Sequence, residues 1–338
     1  MLFIRLLSSK LLRMSKTTLT VSVVLFVTVS ATIAYLLEPA TFSSWFNSFY
    51  WVLTTMATVG YGDFFAKTVP GKVLTIFLYV FGIGLLSLVI GKIIEGISNV
   101  QRKRGEGTLQ FRGANHFIII NWSKKVQTAV EEILSHMPDS DIVIIDETGK
   151  HPLEHLHQVH FISGDPAEDE VLTKAGIERA RAAIVFGDIR IDEASLIDGK
   201  SLLIASSIER MAPHVHTTVE IIQEKHIRNF HHVKVNEFVL SHDAISRLAV
   251  RSAMQEGNSD LFRQLLSRQY GDDIYEAKRN AAWRTYGDAF RGLLEQGATL
   301  LSDRGDLGIN RKLNDPIPAD AKLYIICDEH TAKKIKEL

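Results

Sequence analysis

The chain has 338 residues, enough for two or three domains, and a formal net charge of -1, which gives no general nucleic-acid footprint. Hydrophobic residues make up 46% and crowd the first hundred positions, so the average hides a membrane part and a water-soluble part. The single cysteine, Cys327, excludes an intrachain disulfide and a cysteine-rich metal site, and fits a reducing cytoplasmic compartment.

Residues 1–16 carry Arg5, Lys10, Arg13 and Lys16 with no acid, and an uncharged run from Thr17 to Leu37 follows. A secretory signal peptide also has a basic lead. Here the lead is long and a second apolar span comes later, which favours a first membrane span with a cytoplasmic N-terminus. Glu38-Pro39 ends that span on the outer side. Residues 43–57 (SSWFNSFYWVLTTMA) are uncharged but too short to cross, which suits a re-entrant helix. The loop Thr58-Val59-Gly60-Tyr61-Gly62-Asp63 comes next, and non-helical backbone at membrane depth is tolerated only where it is buried in protein or lines water. The second span is expected from about Lys72 to Ile97, followed by Arg102, Lys103 and Arg104. The two basic clusters agree on orientation.

This order of span, short helix, TVGYG loop and span resembles the pore of potassium channels, where four such loops replace the hydration shell of the ion with backbone carbonyls. The resemblance covers residues 17–98 and implies K+ as the permeant ion, a homotetramer around one filter, and Thr58, Val59, Gly60, Tyr61, Gly62 and Asp63 as filter residues. Tyr50 and Trp51 fall where aromatic residues brace the filter tyrosine, with interfacial anchoring as the plainer reading. Thr54 stands where some potassium channels carry a carboxylate behind the filter, so no acid pair with Asp63 can form there. Ala57 replaces a threonine of many relatives. Gly82, nineteen residues after Asp63, occupies the spacing of a gating hinge. Gly82 and Gly84 together mark either a bend or a close helix contact, and Lys92 with Glu95 has the spacing of a helical ion pair.

Residues 99–115 read as a connector, whose length does not decide whether it is taut or slack. Beyond it, short apolar strands alternate with helical stretches: His116–Asn121, then a helix from Lys124 to Met137, then Asp141–Asp146, Val159–Ser163, Ala182–Gly187 and Thr217–Ile222. Such alternation predicts a parallel sheet with helices on both faces. Asp165-Pro166 is expected to open a helix, with Asp165 as N-cap and Glu168 completing a capping box.

The start His116-Phe117-Ile118-Ile119-Ile120, the stretch Gly164-Asp165-Pro166 and the strand Ala182-Ala183-Ile184-Val185 resemble the RCK domain, the Rossmann-like regulator of potassium conductance. Residues 272–338, with Tyr286–Phe290, Gly297–Leu301 and Leu323–Ile326, look like the small α+β C-terminal subdomain of the same family. The resulting division is a two-span pore (1–98), a connector (99–115), a Rossmann-like domain (116–240), dimerising helices (241–271) and the C-terminal subdomain (272–338). The resemblance implies RCK domains paired into a larger gating ring on the cytoplasmic side of a cell membrane, with lipid as a further partner.

The ligand stays open at this point. A dinucleotide site needs glycines in the first strand-to-helix turn, but the turn here is Asn121-Trp122-Ser123-Lys124-Lys125. Asp146, at the end of the second strand, could hold a ribose or simply cap a turn. For calcium, which needs several oxygen ligands, Glu220 and either Asp188 or Asp192 fall at positions matching acids of calcium-gated RCK channels, although Ile222 replaces one of those acids. His151, His155, His157 and His160 are expected to be a surface cluster rather than a metal centre. No acid, base and nucleophile set points to an enzyme. The function expected is a ligand-gated potassium-selective channel, with a membrane-anchored nucleotide sensor or a nonselective cation pore as alternatives.

Overall fold

The computed structural model describes residues 15–267 and 271–337. The basic lead with Arg5, Lys10 and Arg13 lies outside the described residues. The chain divides into two compact units, Met1–Lys103 and Arg104–Leu338.

In the first unit, α1 (Lys16–Leu37) starts at Ser15, whose hydroxyl accepts the Thr18 N–H at 3.1 Å. The short helix α2 (Trp45–Met56) is capped in the same way by Ser44, and α3 (Val69–Phe77) by Thr68 with Pro70 in its first turn. A π-turn, Leu78–Gly82, then leads into α4 (Ile83–Gly105). Helix therefore runs past the expected end at Ile97, so the first part of the connector is helical. Two helical stretches, Thr17–Leu37 and Val69–Gly105, are long and apolar enough to cross a bilayer. Val27, Ala31 and Ala34 of α1 pack against Phe42, Trp51, Val52, Met56, Leu74 and Leu78. The two alanines let backbones approach, as small residues do where helices pack in membranes.

The second unit opens with a six-stranded parallel sheet in the order β3-β2-β1-β4-β5-β6. Its strands are β1 (Phe117–Ile120), β2 (Ile142–Asp146), β3 (Val159–Ser163), β4 (Ala182–Val185), β5 (His216–Ile221) and β6 (Glu237–Leu240). Ile118 pairs in register with Val143 on one side and Ala183 on the other. Side chains alternate between faces. Ile118, Ile120, Val143 and Ile145 join one core with the helices α6 (Asp169–Ala175) and α7 (Ala194–Met211), while Ile119, Ile142 and Ile144 join the other with α5 (Lys124–His136). Burial on both faces explains why these strands read as unbroken apolar runs. The order of the strands reverses between β1 and β4, where open α/β sheets bind ligands beyond their carboxyl ends.

One local expectation fails. Asp165 does not cap a helix. Its carboxylate accepts the Ala167 N–H at 2.9 Å in a turn, and α6 starts four residues later with Glu168 as a cap that makes no side-chain bond. Aspartate serves turns as readily as caps, and Pro166 closed the turn first.

After β6 come the helices α8 (Ser241–Met254) and α9 (Asn258–Leu265), and then an antiparallel sheet in the order β7-β9-β8. These strands are β7 (Asp273–Ala277), β8 (Thr299–Asp303) and β9 (Leu323–Cys327). The helix α10 (Tyr286–Leu294) is fixed by a full capping box between Thr285 and Asp288, and α11 (Glu329–Glu337) closes the described chain. The architecture is two apolar spans with an intervening short helix, then a Rossmann-like domain and a small α+β subdomain.

Candidate pore loop and regulatory edge

The loop after α2 has a backbone of unusual regularity. Thr58, Gly60 and Gly62 have φ of 58°, 52° and 80°, whereas Val59 and Tyr61 between them are not in the left-handed region. A backbone that alternates in handedness can turn successive carbonyls to one side, and glycine supplies that φ at no steric cost. The N–H groups are spent on the helix behind. Thr58 N–H donates to the Thr55 carbonyl at 3.1 Å, and Val59 and Gly60 both donate to the Thr54 carbonyl at 2.9 and 3.3 Å. The loop thus keeps its carbonyls for something else.

Thr54, at the place where an acid was conceivable, donates its hydroxyl to the carbonyls of Tyr50 and Trp51, each at 3.1 Å. A cavity of about 420 Å³ is bordered by Thr54, Thr55, Asp63, Lys72 and Tyr79. Trp51 is buried against Phe42, with ring centroids 5.2 Å apart, while Tyr61 is 73% exposed in the single chain. The expected bracing of Tyr61 by Tyr50 and Trp51 is therefore not what anchors Trp51 within one chain.

Sequence reasoning missed Glu38. It was read only as the end of a span, yet its buried carboxylate ties that end to the start of the next. It accepts from Thr68 N–H and hydroxyl, both at 2.7 Å, from Lys67 N–H at 3.0 Å and from the Thr41 hydroxyl at 3.1 Å. An acid at the end of an apolar run, facing a Thr-Val-Pro-Gly start some thirty residues on, was the available signal. Gly82 is buried at the end of the π-turn, and a Cβ there would fall 2.7 Å from Met56 Cγ. Gly84 differs, since a Cβ there meets nothing within 4 Å. Lys92 and Glu95 do pair, at 2.7 Å.

At the carboxyl edge of the parallel sheet, the acids expected to serve ligands have partners of their own. Asp146 is buried. One oxygen accepts Trp122 N–H at 2.8 Å and the other Thr148 N–H at 2.8 Å, so it closes the first strand-to-helix turn. In that turn Asn121 takes the left-handed conformation (φ 70°) where a dinucleotide fold would use glycine, and its amide donates to the Phe186 carbonyl. Glu220 accepts from Lys125 Nζ at 2.5 Å and from Gly187 N–H at 2.9 Å. Burial raises its pKa, but the bonds from Lys125 and Gly187, with the Lys125 charge, outweigh it and hold the carboxyl below the usual range. Asp188 accepts a fork from Arg190 at 2.7 and 2.8 Å and a bond from Lys200 at 2.8 Å. Burial again works against ionisation, and the two cations overcome it strongly. Asp192 stands exposed outside this network. Among the described residues, no group of three or more His, Cys, Asp or Glu side chains is placed to hold a metal ion. In this structure Glu220 and Asp188 are engaged by cations, Lys125 on the first and Arg190 with Lys200 on the second.

Two family models match the chain: an ion channel model over residues 22–99 and a TrkA-N domain model over residues 117–241. The chain is thus similar to ion channels over its two spans and to TrkA-N domains over its parallel sheet, and it is a membrane protein. YugO of Bacillus subtilis (strain 168), provisionally named a potassium channel protein, is 29% identical over 216 residues, 64% of this chain and 65% of the relative. The calcium-gated potassium channel TvoK of Thermoplasma volcanium is 28% identical over 226 residues, 66% of this chain and 64% of the relative. The chain thus spans just under two thirds of the length of these curated relatives. In fold alone, its soluble part is similar to the human SLO3 gating ring, at 14% identity and a TM-score of 0.52, over 65% of this chain and 46% of that one.

The segment leading into the TrkA-N domain is not a loose tether. Arg104 donates to the carbonyls of Leu156, His157 and Val159 at 3.0–3.1 Å. His151 N–H donates to the Gly105 carbonyl at 2.8 Å and Ser163 N–H to the Gly107 carbonyl at 2.9 Å. His160 Nε2 bonds the Leu109 carbonyl at 2.6 Å, and Phe111 packs between the rings of His116 and His160. This corrects the surface reading of the histidines. His151 is only 3% exposed, with its ring between the Val159 carbonyl and the Leu153 N–H, and His160 is half-buried. His160 is placed by β3 and His151 by the turn before it, a signal diluted by the exposed His155 and His157 between them.

Proposed function

We propose that four copies of this chain form a potassium-selective pore through the Thr58–Asp63 loop, gated by a ligand at the TrkA-N domain. One observation carries the reading: the loop alternates in backbone handedness and ties its N–H groups to the pore helix, which leaves its carbonyls to replace the water of a dehydrated cation. The relatives named as potassium channels support it, as does the absence of an assembled catalytic set in the reading of the residues; conduction rather than catalysis is the activity inferred. Tyr50 and Trp51 of one copy would brace Tyr61 of another, and Gly82 would bend the second span. A nonselective cation pore fits Tyr61 and the tied loop less well.

On this reading the apolar side chains exposed on α8 and α9, among them Ile245, Val250, Met254 and Leu261, pair TrkA-N domains into a ring. The tight stitching of residues 104–115 to the sheet lets a shift of the ring reach the second span, and a ligand drives that shift only by its differential affinity for two packings. Calcium, named for TvoK, and nucleotides are the two ligand classes weighed. Calcium would have to draw Glu220 and Asp188 away from Lys125, Arg190 and Lys200, whereas an anionic nucleotide would compete for those cations.

The test is bilayer recording of the reconstituted full chain, with calcium, nucleotide and pH varied separately on the TrkA-N side. Potassium must permeate well ahead of sodium, and Gly60→Ala, which forces a side chain into the left-handed region, must destroy that preference. Equal permeation of sodium, or an indifferent Gly60→Ala, sinks the reading. Potassium selectivity with no response to any ligand would sink the gating half alone.

A further inference from the structure

Helices α1 and α4 leave a groove between them at the end of the spans that carries the basic residues. It holds about 450 Å³, within the roughly 300–1,000 Å³ of ligand pockets. Leu19, Val23 and Val24 of α1 line one side, and Val89, Ile93 and Ile97 of α4 the other. Gly96 contributes no side chain, which leaves room between them. Leu19 is buried, whereas Val24, Ile93 and Ile97 stand exposed, so the groove opens outward from the chain. Two polar residues join this lining, Thr20 and Lys92. A charged side chain within a membrane span is costly and marks a functional site by default. Lys92 lies ten residues before Arg102, about 15 Å along the helix, and only 20% of its side chain is exposed. Its ammonium meets Glu95 Oε2 at 2.7 Å. An ammonium has three donors, and this bond uses one.

We propose that the groove binds an anionic phospholipid, with an acyl chain along its apolar walls and the phosphate on Lys92. The inference needs only the two membrane spans and not the channel reading. Charge argues for the headgroup. Lys92, Arg102 and Lys103 lie toward this end of α4, and the lead into α1 adds Arg5, Lys10, Arg13 and Lys16. Across residues 1–37 and 83–105 the one acid is Glu95. Basic clusters of this size beside a span attract anionic headgroups. The apolar walls cannot select among lipids, since lipid tails are as apolar as the leucines they would touch. Selection therefore falls on Lys92, whose long stem follows the groove while its ammonium reaches toward the headgroups. Glu95 works against a phosphate there. Its carboxylate is more than half exposed, so it turns to water when the lipid binds.

The full chain, purified in detergent, is titrated with phosphatidylglycerol or phosphatidylcholine, and bound lipids per assembly are counted by native mass spectrometry. Wild type should bind phosphatidylglycerol about fivefold more tightly, the size expected of one lysine near an anionic headgroup. Lys92→Gln should erase that preference, Lys92→Arg should keep it, and Glu95→Gln should raise it. Gly96→Leu, which fills the groove, should weaken binding of both lipids. Equal binding of the two lipids by wild type overturns the proposal. An unchanged preference in Lys92→Gln overturns it too, because the basic lead would then act without the groove. Undiminished binding of both lipids by an assembled Gly96→Leu places the chain elsewhere and overturns it as well. Should Lys92→Gln fail to assemble, Glu95→Gln decides: a raised preference supports the proposal and an unchanged one overturns it. An assembled wild type that binds neither lipid overturns the proposal in favour of another occupant. That occupant is a second copy if Gly96→Leu also breaks assembly, and the basic lead if deleting residues 2–14 uncovers lipid binding.

Discussion

At the scale of single residues, the tightest constraints are polar groups inside apolar surroundings. Glu38 gathers donors from Thr41, Lys67 and Thr68, and each buried donor left unpaired costs about 1–3 kcal/mol. Glu38→Ala should therefore destabilise the full chain by on the order of 3 kcal/mol, seen as a lower thermal midpoint in detergent. Glu38→Gln, which keeps one carbonyl acceptor, should fall between. The buried histidines make a second prediction, through pH. Desolvation comes first among the causes that lower the pKa of His116, His151 and His160 below the ordinary value of 6.5, with the Arg104 charge adding to it at His151 and His160 and the Arg179 charge at His116. Their backbone carbonyl partners, and Asp141 or Glu154 nearby, pull the other way without winning. The unfolded chain then binds more protons than the folded one just below 6.5, so stability is full above that pH and falls as pH drops through the depressed values. Glu220 and Asp188, with lowered values, lose their share only in the more acid carboxylate window. A stability profile should thus show two steps on acidification, and His160→Gln, which can still donate to Leu109, should flatten the upper one.

At the scale of elements, the junction between α4 and the sheet is where sequence and structure part most. The first five strands and the helix from Lys124 were legible within a residue or two, because Ile118–Ile120 and Ile142–Ile145 are apolar on both faces and that helix shows a clean apolar stripe, whereas β6 and the helix Ala194–Met211 were not placed. The TVGYG loop was legible because its motif sits between two apolar spans, and its glycines supply two of the three left-handed positions, the third being Thr58. The connector was not, since its stitching uses main-chain groups of Gly105, Gly107 and Leu109, which side-chain patterns do not encode. The partner of Glu220, Lys125, was hidden because it lies 95 residues away in the chain, whereas Arg190 and Lys200 are only two and twelve residues from Asp188. Arg104 Nη2 alone reaches the carbonyls of Leu156, His157 and Val159. On the gating reading proposed above, Arg104→Ala, which removes all three bonds, should weaken the dependence of opening on ligand, measured as a smaller ratio of ligand-bound to ligand-free open probability. An unchanged ratio would mean that force takes another route.

At the scale of the whole molecule, the function proposed above divides the chain between a part that selects and a part that decides. Here the first unit keeps its polar groups for the filter loop and for Glu38, while the second holds a dense set of ion pairs at the edge of its sheet. Asn121 at the turn where dinucleotide folds use glycine, together with Asp146 on Trp122 N–H, argues that a ligand meets this domain through the Lys125, Arg190 and Lys200 side rather than by backbone approach at the first turn.

Helix α4 runs unbroken from Ile83 to Gly105, and its end is fastened at once by Arg104, Gly105 and Gly107. On the gating reading proposed above, a continuous helix would pass on azimuth as well as length. At 3.6 residues per turn, seven inserted residues come back to nearly the same azimuth, and two swing everything downstream to the opposite side. Insertions between Ser98 and Gln101 should then rescue or abolish gating by their phase and not by their size, seven succeeding where two fail, whereas a supple strap would tolerate both.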